Sequence, residues 1–229
     1  MASDPHNSAV YKSKGRPKNP IKFKIQLNEE QKEAKSQILH SIISVITGKA
    51  GSGKSVLAAN VALDLLFRKE VDKVIITRPT VVAGADIGFL PGDINSKLAP
   101  FTAPVYENMY RLYDKSKIEK CLEEGKIEII PVSFMRGRNF TDCLVIVDES
   151  QNLNDVQTEL LLTRICSGSK LIFCGDEAQI DLKNKKESGF GFMCRHLSSL
   201  KGFSLIKLMT NHRHEIVDGI LDIYKQYRN

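Results

Sequence analysis

The chain has 229 residues, of which 42% are hydrophobic and 26% charged, an ordinary composition for a soluble globular domain. No apolar run approaches the roughly 20 residues that a membrane-spanning helix needs. The N-terminus is polar and basic, so it does not resemble a secretory signal. The formal net charge is +6, but residues 1–28 hold six lysines and arginines against one acid, Asp4. The basicity therefore belongs to a tail, predicted to be disordered over 1–24, and 25–229 are predicted to form one domain.

The tail has two interpretations. Its lysines and arginines either attract nucleic-acid phosphates or form a solvated arm. The five cysteines show no C-x-x-C spacing. Cys143 and Cys174 lie in apolar, strand-like runs and Cys166 ends a helix-like run, so we predict buried, reduced thiols in a cytoplasmic protein. The histidines lack the spacing of a structural zinc site.

Apolar strands alternate with helices along the chain. Asn28, with Gln31 three residues later, predicts a helix start, and the apolar face of that helix carries Ala34, Ile38 and Ile42. A strand over 42–46 and a helix over 56–63 follow. Further strands are predicted at 73–77, 126–130, 143–147, 170–174 and 204–208, and helices at 93–113 (interrupted by Pro100 and Pro104), 155–165 and 216–227. This alternation predicts one α/β domain with a mostly parallel sheet and helices on both faces.

A glycine-rich loop lies between the first strand and its helix, and it fits G-x-x-x-x-G-K-[ST] at every fixed position. Its residues are Gly48, Lys49, Ala50, Gly51, Ser52, Gly53, Lys54 and Ser55, with Val56 opening the helix. Backbone N–H groups in such a loop surround phosphates, and the helix start adds unpaired donors. We therefore expect Lys54 to reach the β- and γ-phosphates of ATP and Ser55 to bind Mg²⁺.

Hydrolysis requires more than phosphate binding, and the strand over 143–147 runs directly into Asp148 and Glu149. Asp148 is expected to hold Mg²⁺ through water, and Glu149 to activate the attacking water. The alternative is that these two acids only cap the following helix. After the next strand, Gln179 is predicted to sense the γ-phosphate, and Asp176 is either a second such group or the N-cap of a loop.

The order of these motifs resembles the PhoH family of P-loop ATPases, whose RecA-like core is related to superfamily 1 helicases. The matching segments are 76–79, 88–93, 134–138, 147–152 and 174–181, and Arg213-His214 matches the C-terminal Arg-His of the family. The chain departs from the family in having Ser150 for alanine, Glu177 for the turn proline, and Glu215 where proline usually follows the Arg-His pair.

The resemblance implies roles for further residues. Gln31 would read the adenine edge, and the alternative is a surface helix glutamine that only completes the capping box. Arg78, Arg136 and Arg138 would contact nucleic acid or a neighbouring subunit, or are simply solvated. Relatives are similar to ring hexamers, so Arg213 would act in trans as an arginine finger in a homo-oligomer.

Together these features predict a Mg²⁺-dependent ATP hydrolase that acts on RNA or single-stranded DNA as a motor or helicase. The alternatives are an ATP-dependent switch or chaperone that acts on protein, a kinase, and an RNA-processing factor. No acceptor-binding insertion supports a kinase, and no acidic cluster outside the ATP site supports RNA cleavage.

Overall fold

The structure is a computed structural model that describes residues 21–79, 94–182, 184–213 and 215–228. Most of the predicted disordered tail (1–20) and the family segment 88–93 lie outside the described residues. Among the residues that are described, no helix combines the length and apolarity needed to cross a membrane.

Six strands form a single sheet in the order β3-β2-β4-β5-β1-β6, and all the described strand pairs are parallel. Their bounds are Ile43–Gly48 (β1), Lys73–Thr77 (β2), Ile127–Ile129 (β3), Cys143–Val147 (β4), Lys170–Gly175 (β5) and Phe203–Leu208 (β6). The predicted parallel sheet is confirmed. Because all strands point the same way, every strand-to-helix connection emerges at one edge, where open α/β sheets bind their ligands.

Seven α-helices accompany the sheet in the described part of the chain. Their bounds are Glu29–His40 (α1), Lys54–Phe67 (α2), Ile94–Leu112 (α3), Lys115–Glu123 (α4), Asp155–Leu162 (α5), Gly189–His196 (α6) and Glu215–Arg228 (α7). Helix α1 has the predicted capping box, in which Asn28 Oδ1 accepts from the Gln31 N–H and Gln31 Oε1 accepts from the Asn28 N–H. Helix α3 runs through Pro100 and Pro104, where an interruption was predicted.

Alternate strand residues pack into two cores, one on each face of the sheet. Ile46, Ile146 and Ile172 pack with α1, α2, α3 and α4. Val45 and Val145 on the opposite face pack with Phe140 and with α5 and α6. The central strands are therefore buried on both sides, as their continuous apolar runs predict.

Two predictions about burial are wrong. Ile42 lies after the end of α1 and its side chain is 46% exposed, because the helix ends at His40 and the chain then turns into β1. Cys166 is exposed, whereas Cys143 and Cys174 are buried. Cys166 follows the end of α5 and lies in a loop rather than on the apolar helix face. Within the segment 1–24 that was predicted as a tail, the ring of Phe23 packs against Tyr113.

Candidate functional site

The phosphate loop connects β1 to α2 at the carboxyl edge of the sheet. Gly51 and Gly53 have φ angles of 89° and 84°, in the left-handed region that glycine tolerates best. Gly53 is the N-cap of α2 and supplies no side-chain cap, so the first N–H groups of the helix are open to a ligand. The predicted strand, glycine loop and helix start are thus all present in the expected order.

The motif fixes two side chains, those of Lys54 and Ser55, and both lie at the start of α2. Lys54 Nζ donates to the carbonyl oxygens of Gly48 at 2.7 Å and Lys49 at 3.1 Å. The hydroxyl of Ser52 is buried and has no hydrogen-bond partner among the described residues. The remaining loop positions supply backbone: Lys49 is exposed, Ala50 is half-buried, and Val56 packs against the core.

A hydrogen bond of 2.8 Å from Ser55 Oγ to Asp148 Oδ1 joins the phosphate loop to the end of β4. Asp148 is buried, and burial together with the nearby charge of Glu149 raises its pKa above the usual value. Besides the Ser55 hydroxyl, the carboxylate of Asp148 has a hydrogen bond with the backbone of Glu149. A carboxylate has about four lone-pair sites, so capacity for a further ligand remains. Ser55 and Asp148 also line a small cavity of about 20 Å³ with Asn108 of α3.

Glu149 has a strained backbone. Its φ of 52° places it in the left-handed region, which is uncommon outside glycine and clusters at functional sites. Gln151 Nε2 donates to Glu149 Oε2 at 2.7 Å, and Arg78 Nη2 lies 4.0 Å from Glu149 Oε1. Both acids predicted at this strand end are therefore positioned by named partners. Glu149 is the N-cap residue of the short 3-10 helix Ser150–Asn152 but makes no side-chain cap there, and the side-chain cap of α5 is Asn154.

The loop after β5 reaches the site through backbone. One of the two interpretations of Asp176 was the N-cap of a loop. The structure has this cap, because Asp176 Oδ1 accepts from the Ala178 N–H at 3.0 Å. Gln179 is exposed, and its carbonyl oxygen lies 3.4 Å from Gln151 Nε2. Gln151 also accepts from the Asp176 N–H at 3.2 Å. The buried amide side chain beside Glu149 is therefore that of Gln151, whereas the side chain of Gln179 is exposed.

The segment after β6 lies on the phosphate loop of its own chain. The His212 N–H donates to the Gly51 carbonyl at 3.1 Å, and a Cβ added at Gly51 would lie 2.5 Å from Arg213 Cγ. Arg213 therefore lies beside the phosphate loop of its own chain, and the expectation that it acts in trans on a neighbouring subunit stays a prediction. Strand β6 pairs in parallel with β1, so the residues that follow both strands emerge side by side.

Gln31 forms the predicted capping box and also lies at the end of the phosphate loop. Its carbonyl completes the capping box, and its amide nitrogen lies 2.6 Å from where a Cβ on Gly53 would be. The buried side chain therefore faces the end of the phosphate loop.

Residues 134–138, which we call the arginine loop, lie between β3 and β4. Arg138 is held by Glu128, with Nη2 3.0 Å from Oε2, and Met135 is fully buried. Arg136 is exposed and Phe134 is 61% exposed. The loop is thus anchored at both Met135 and Arg138 and presents an arginine and an aromatic ring to solvent.

Sequence reasoning assigned no role to two residues that the structure places beside these groups. Gln151 lies within the family segment 147–152, where its position two residues after Glu149 was a usable signal. Glu30 accepts hydrogen bonds from the Met209 and Thr210 N–H groups. This contact spans 179 residues, and no local pattern indicates it.

A phosphate loop, a hydroxyl joined to a buried aspartate and an adjacent glutamate on a parallel sheet together define a P-loop NTPase. A family model described as PhoH-like protein matches residues 24–225. The chain belongs to this PhoH family.

The chain is 40% identical over 189 residues to a PhoH-like protein of Synechocystis sp., covering 82% of this chain and 58% of that one. It is 42% identical over 164 residues to the protein PhoH of Escherichia coli, covering 71% and 46%. The chain thus spans about half the length of the curated relatives it matches.

Solved structures share the RecA-like fold. The large terminase of a thermophilic bacteriophage has a TM-score of 0.56 at 10% identity, covering 86% of this chain and 50% of that one. The UvsW helicase of bacteriophage T4 has a TM-score of 0.51 at 12% identity, covering 80% and 60%. The predicted fold class is confirmed.

Proposed function

We propose that this chain is a Mg²⁺-dependent ATP hydrolase that works on single-stranded nucleic acid. The observation that carries the hydrolase part is the hydrogen bond from Ser55 to Asp148, because it joins the phosphate loop to the strand end that bears Glu149. A glycine-rich turn without a nucleotide to bind has no need of a buried carboxylate at this position.

The donor set fits Mg²⁺. Ser55 and Asp148 offer a hydroxyl and a carboxylate, the hard oxygen ligands that Mg²⁺ prefers, and their shared cavity of about 20 Å³ is wide enough for a water. Ser55 would ligate the ion directly and Asp148 through a water. When bound, the ion would neutralise charge on the β- and γ-phosphates.

Glu149 is the proposed general base. It would accept a proton from water as the water oxygen attacks the γ-phosphorus, and the bond from that phosphorus to the bridging oxygen would break to release ADP. Gln151 holds one carboxylate oxygen of Glu149, and the other oxygen, which lies 4.0 Å from Arg78 Nη2, would accept the proton of the water. Lys54 would exchange its two loop carbonyls for phosphate oxygens.

Three further residues complete the proposed site. Gln31 would contact the adenine, since its amide faces the end of the phosphate loop. Gln179 would contact the γ-phosphate from the loop after β5. Arg213 would stabilise charge on the transferred phosphoryl group, as an arginine finger does, and its place over Gly51 favours action in cis.

The nucleic-acid part of the proposal is supported by the anchored arginine loop. Exposed aromatic rings stack on bases and arginines bind phosphates, which together give binding to single strands with little sequence preference. Phe134 and Arg136 would make these contacts. Arg138 instead supports the loop through Glu128, and Arg78 faces Glu149 rather than open solvent.

Assembly and location are also proposals. The family resemblance implies a homo-oligomer, a ring hexamer, and sedimentation with and without ATP would test it. The five cysteines are all free, which suits the reducing cytoplasm.

The test is steady-state ATP turnover with and without single-stranded RNA or DNA at two salt concentrations. We expect nucleic acid to raise turnover and to bind less tightly at high salt. Arg136→Ala should weaken that binding by about tenfold and reduce the salt dependence, whereas Arg111→Ala, which removes an exposed arginine of α3, should not.

Two results would remove parts of the proposal. Absence of ATP turnover under all these conditions would reject the hydrolase. Turnover that is indifferent to nucleic acid, with no salt-dependent binding, would reject the nucleic-acid part and favour a switch that acts on protein.

A further inference from the structure

The segment that carries Arg213 has little burial of its own. Strand β6 ends at Leu208, and the side chain of the next residue, Met209, is 71% exposed. Thr210, His212 and Arg213 are exposed as well. The position of Arg213 over the phosphate loop therefore depends on specific polar contacts rather than on packing.

The carboxylate of Glu30 supplies two of these contacts. Its Oε1 accepts from the Met209 N–H at 2.6 Å and its Oε2 from the Thr210 N–H at 3.2 Å. The hydrogen bond from Met209, followed by the contacts with Thr210, lowers the pKa of Glu30 below its usual value. Glu30 is thus a carboxylate at neutral pH, the form that accepts both N–H groups.

The first turn of α1 links this segment to the phosphate loop. Glu30 holds the residues just after β6, while the next residue, Gln31, faces Gly53. Farther along the segment, the His212 N–H donates to Gly51. One helical turn therefore contacts both the end of the phosphate loop and the residues that lead to Arg213.

We propose that Glu30 is a positioning residue that fastens residues 209–213 to α1 and thereby holds Arg213 over the phosphate loop. This inference rests on the proposed function, in which Arg213 acts on the transferred phosphoryl group. Glu30 itself touches no reacting atom. Its effect on turnover is therefore exerted through Arg213, and it should vanish when Arg213 is absent.

The experiment compares Glu30→Gln with Glu33→Gln, which removes the same charge from an exposed residue of the same helix. We expect Glu30→Gln to lower kcat by about tenfold with little change in KM for ATP, because misplacing a group that acts in the transition state costs rate. Glu33→Gln should match the wild type. Glu30→Asp keeps the charge on a shorter side chain and should restore part of kcat.

Hydrogen exchange tests the contact of Glu30 with residues 209 and 210 without relying on ATP turnover. The amides of Met209 and Thr210 should exchange faster in Glu30→Gln than in the wild type or Glu33→Gln, while the amides of the central strands keep their protection. Unchanged exchange at these two amides would overturn the inference, whatever the ATPase result.

A double variant separates the two proposals. Arg213→Ala should lower kcat by roughly a thousandfold, and adding Glu30→Gln should lower it no further. If Arg213→Ala turns over at the wild-type rate, the proposed role of Arg213 is wrong. If Arg213→Ala is impaired and Glu30→Gln is not, only the positioning role is wrong.

Discussion

The two edges of the sheet each bury a charged side chain and treat it differently. At the carboxyl edge, Asp148 is bonded to the Ser55 hydroxyl, and the hydroxyls of Ser52 and Thr77 are buried without a partner among the described residues. At the amino edge, Lys170 is 3% exposed and donates to the carbonyls of Leu39 and Ser41.

This difference shows at which edge of the sheet buried polar groups remain available to bind a ligand. A buried polar group without a partner costs free energy, so it persists where another role requires it. The carboxyl edge combines such groups with the strained backbone of Glu149. At the amino edge the buried ammonium joins the end of α1 to the start of β5, a contact that serves stability.

The largest effect should follow a change at the carboxyl edge. Glu149→Gln removes the proposed general base while keeping the size of the side chain. We expect ATP turnover to fall at least about 100-fold, the scale of general-base catalysis, with ATP binding retained. Calorimetry of nucleotide binding alongside steady-state turnover measures both quantities.

Glu159→Gln is the matched control, because Glu159 is exposed on α5. It should behave as the wild type. Turnover by Glu149→Gln within a factor of two of the wild type would show that this edge uses another base.

A smaller effect is expected from Gln151, which would orient the proposed base. Gln151→Met keeps the volume of this buried side chain but loses its donor to Glu149 and its acceptor for the Asp176 N–H. We expect kcat to fall by about tenfold with KM for ATP unchanged, together with a loss of stability of about 1–3 kcal/mol. Denaturant unfolding and steady-state kinetics would measure these changes, and an equal loss of nucleotide binding would contradict the orienting role.

These two residues also show how far sequence reasoning reaches. Glu149 was predictable because an apolar strand followed by two acids, downstream of a phosphate loop, is a local pattern with a chemical reason. Gln151 acts through a side-chain contact that depends on the turn of the chain after β4. A sequence pattern indicates a strand end, but it does not show which side chain turns back.

The same limit applies to the fold. Apolar runs predicted β1, β2, β4 and β5 because these strands lie inside the sheet and are buried by their neighbours. The two edge strands, β3 and β6, were also predicted, although β6 is only partly buried. The continuous helix α3 was missed because its two prolines argue locally for a break. Val105, Met109 and Leu112 form a buried stripe on that helix, and such packing outweighs local propensity.

The contact of Arg213 with Gly51 required the strand order. The sequence places these residues far apart, and the family resemblance implied that Arg213 acts on a neighbouring subunit. The parallel pairing of β6 with β1 brings them together within one chain. The order of the strands in the sheet thus determines which loops lie side by side at the site, and the sequence pattern alone does not indicate that order.

The smallest effect is expected at the amino edge and concerns stability alone. Burial lowers the pKa of Lys170 from its usual 10.5 to about 8, so between these values the unfolded chain binds more protons at this residue than the folded chain. Stability from this residue should therefore rise as the pH increases from about 8 to 10.5 and be lost as the pH falls back to about 8. Lys170→Met removes the titration. We therefore expect the free energy of unfolding of the wild type, measured relative to this variant, to rise by on the order of 2 kcal/mol across that range. Lys207→Met, at an exposed residue of β6, should show no such trend. A flat difference for Lys170→Met in denaturant unfolding would mean that its ammonium is as well solvated as an exposed one, and that the two edges do not differ in the way their buried charges suggest.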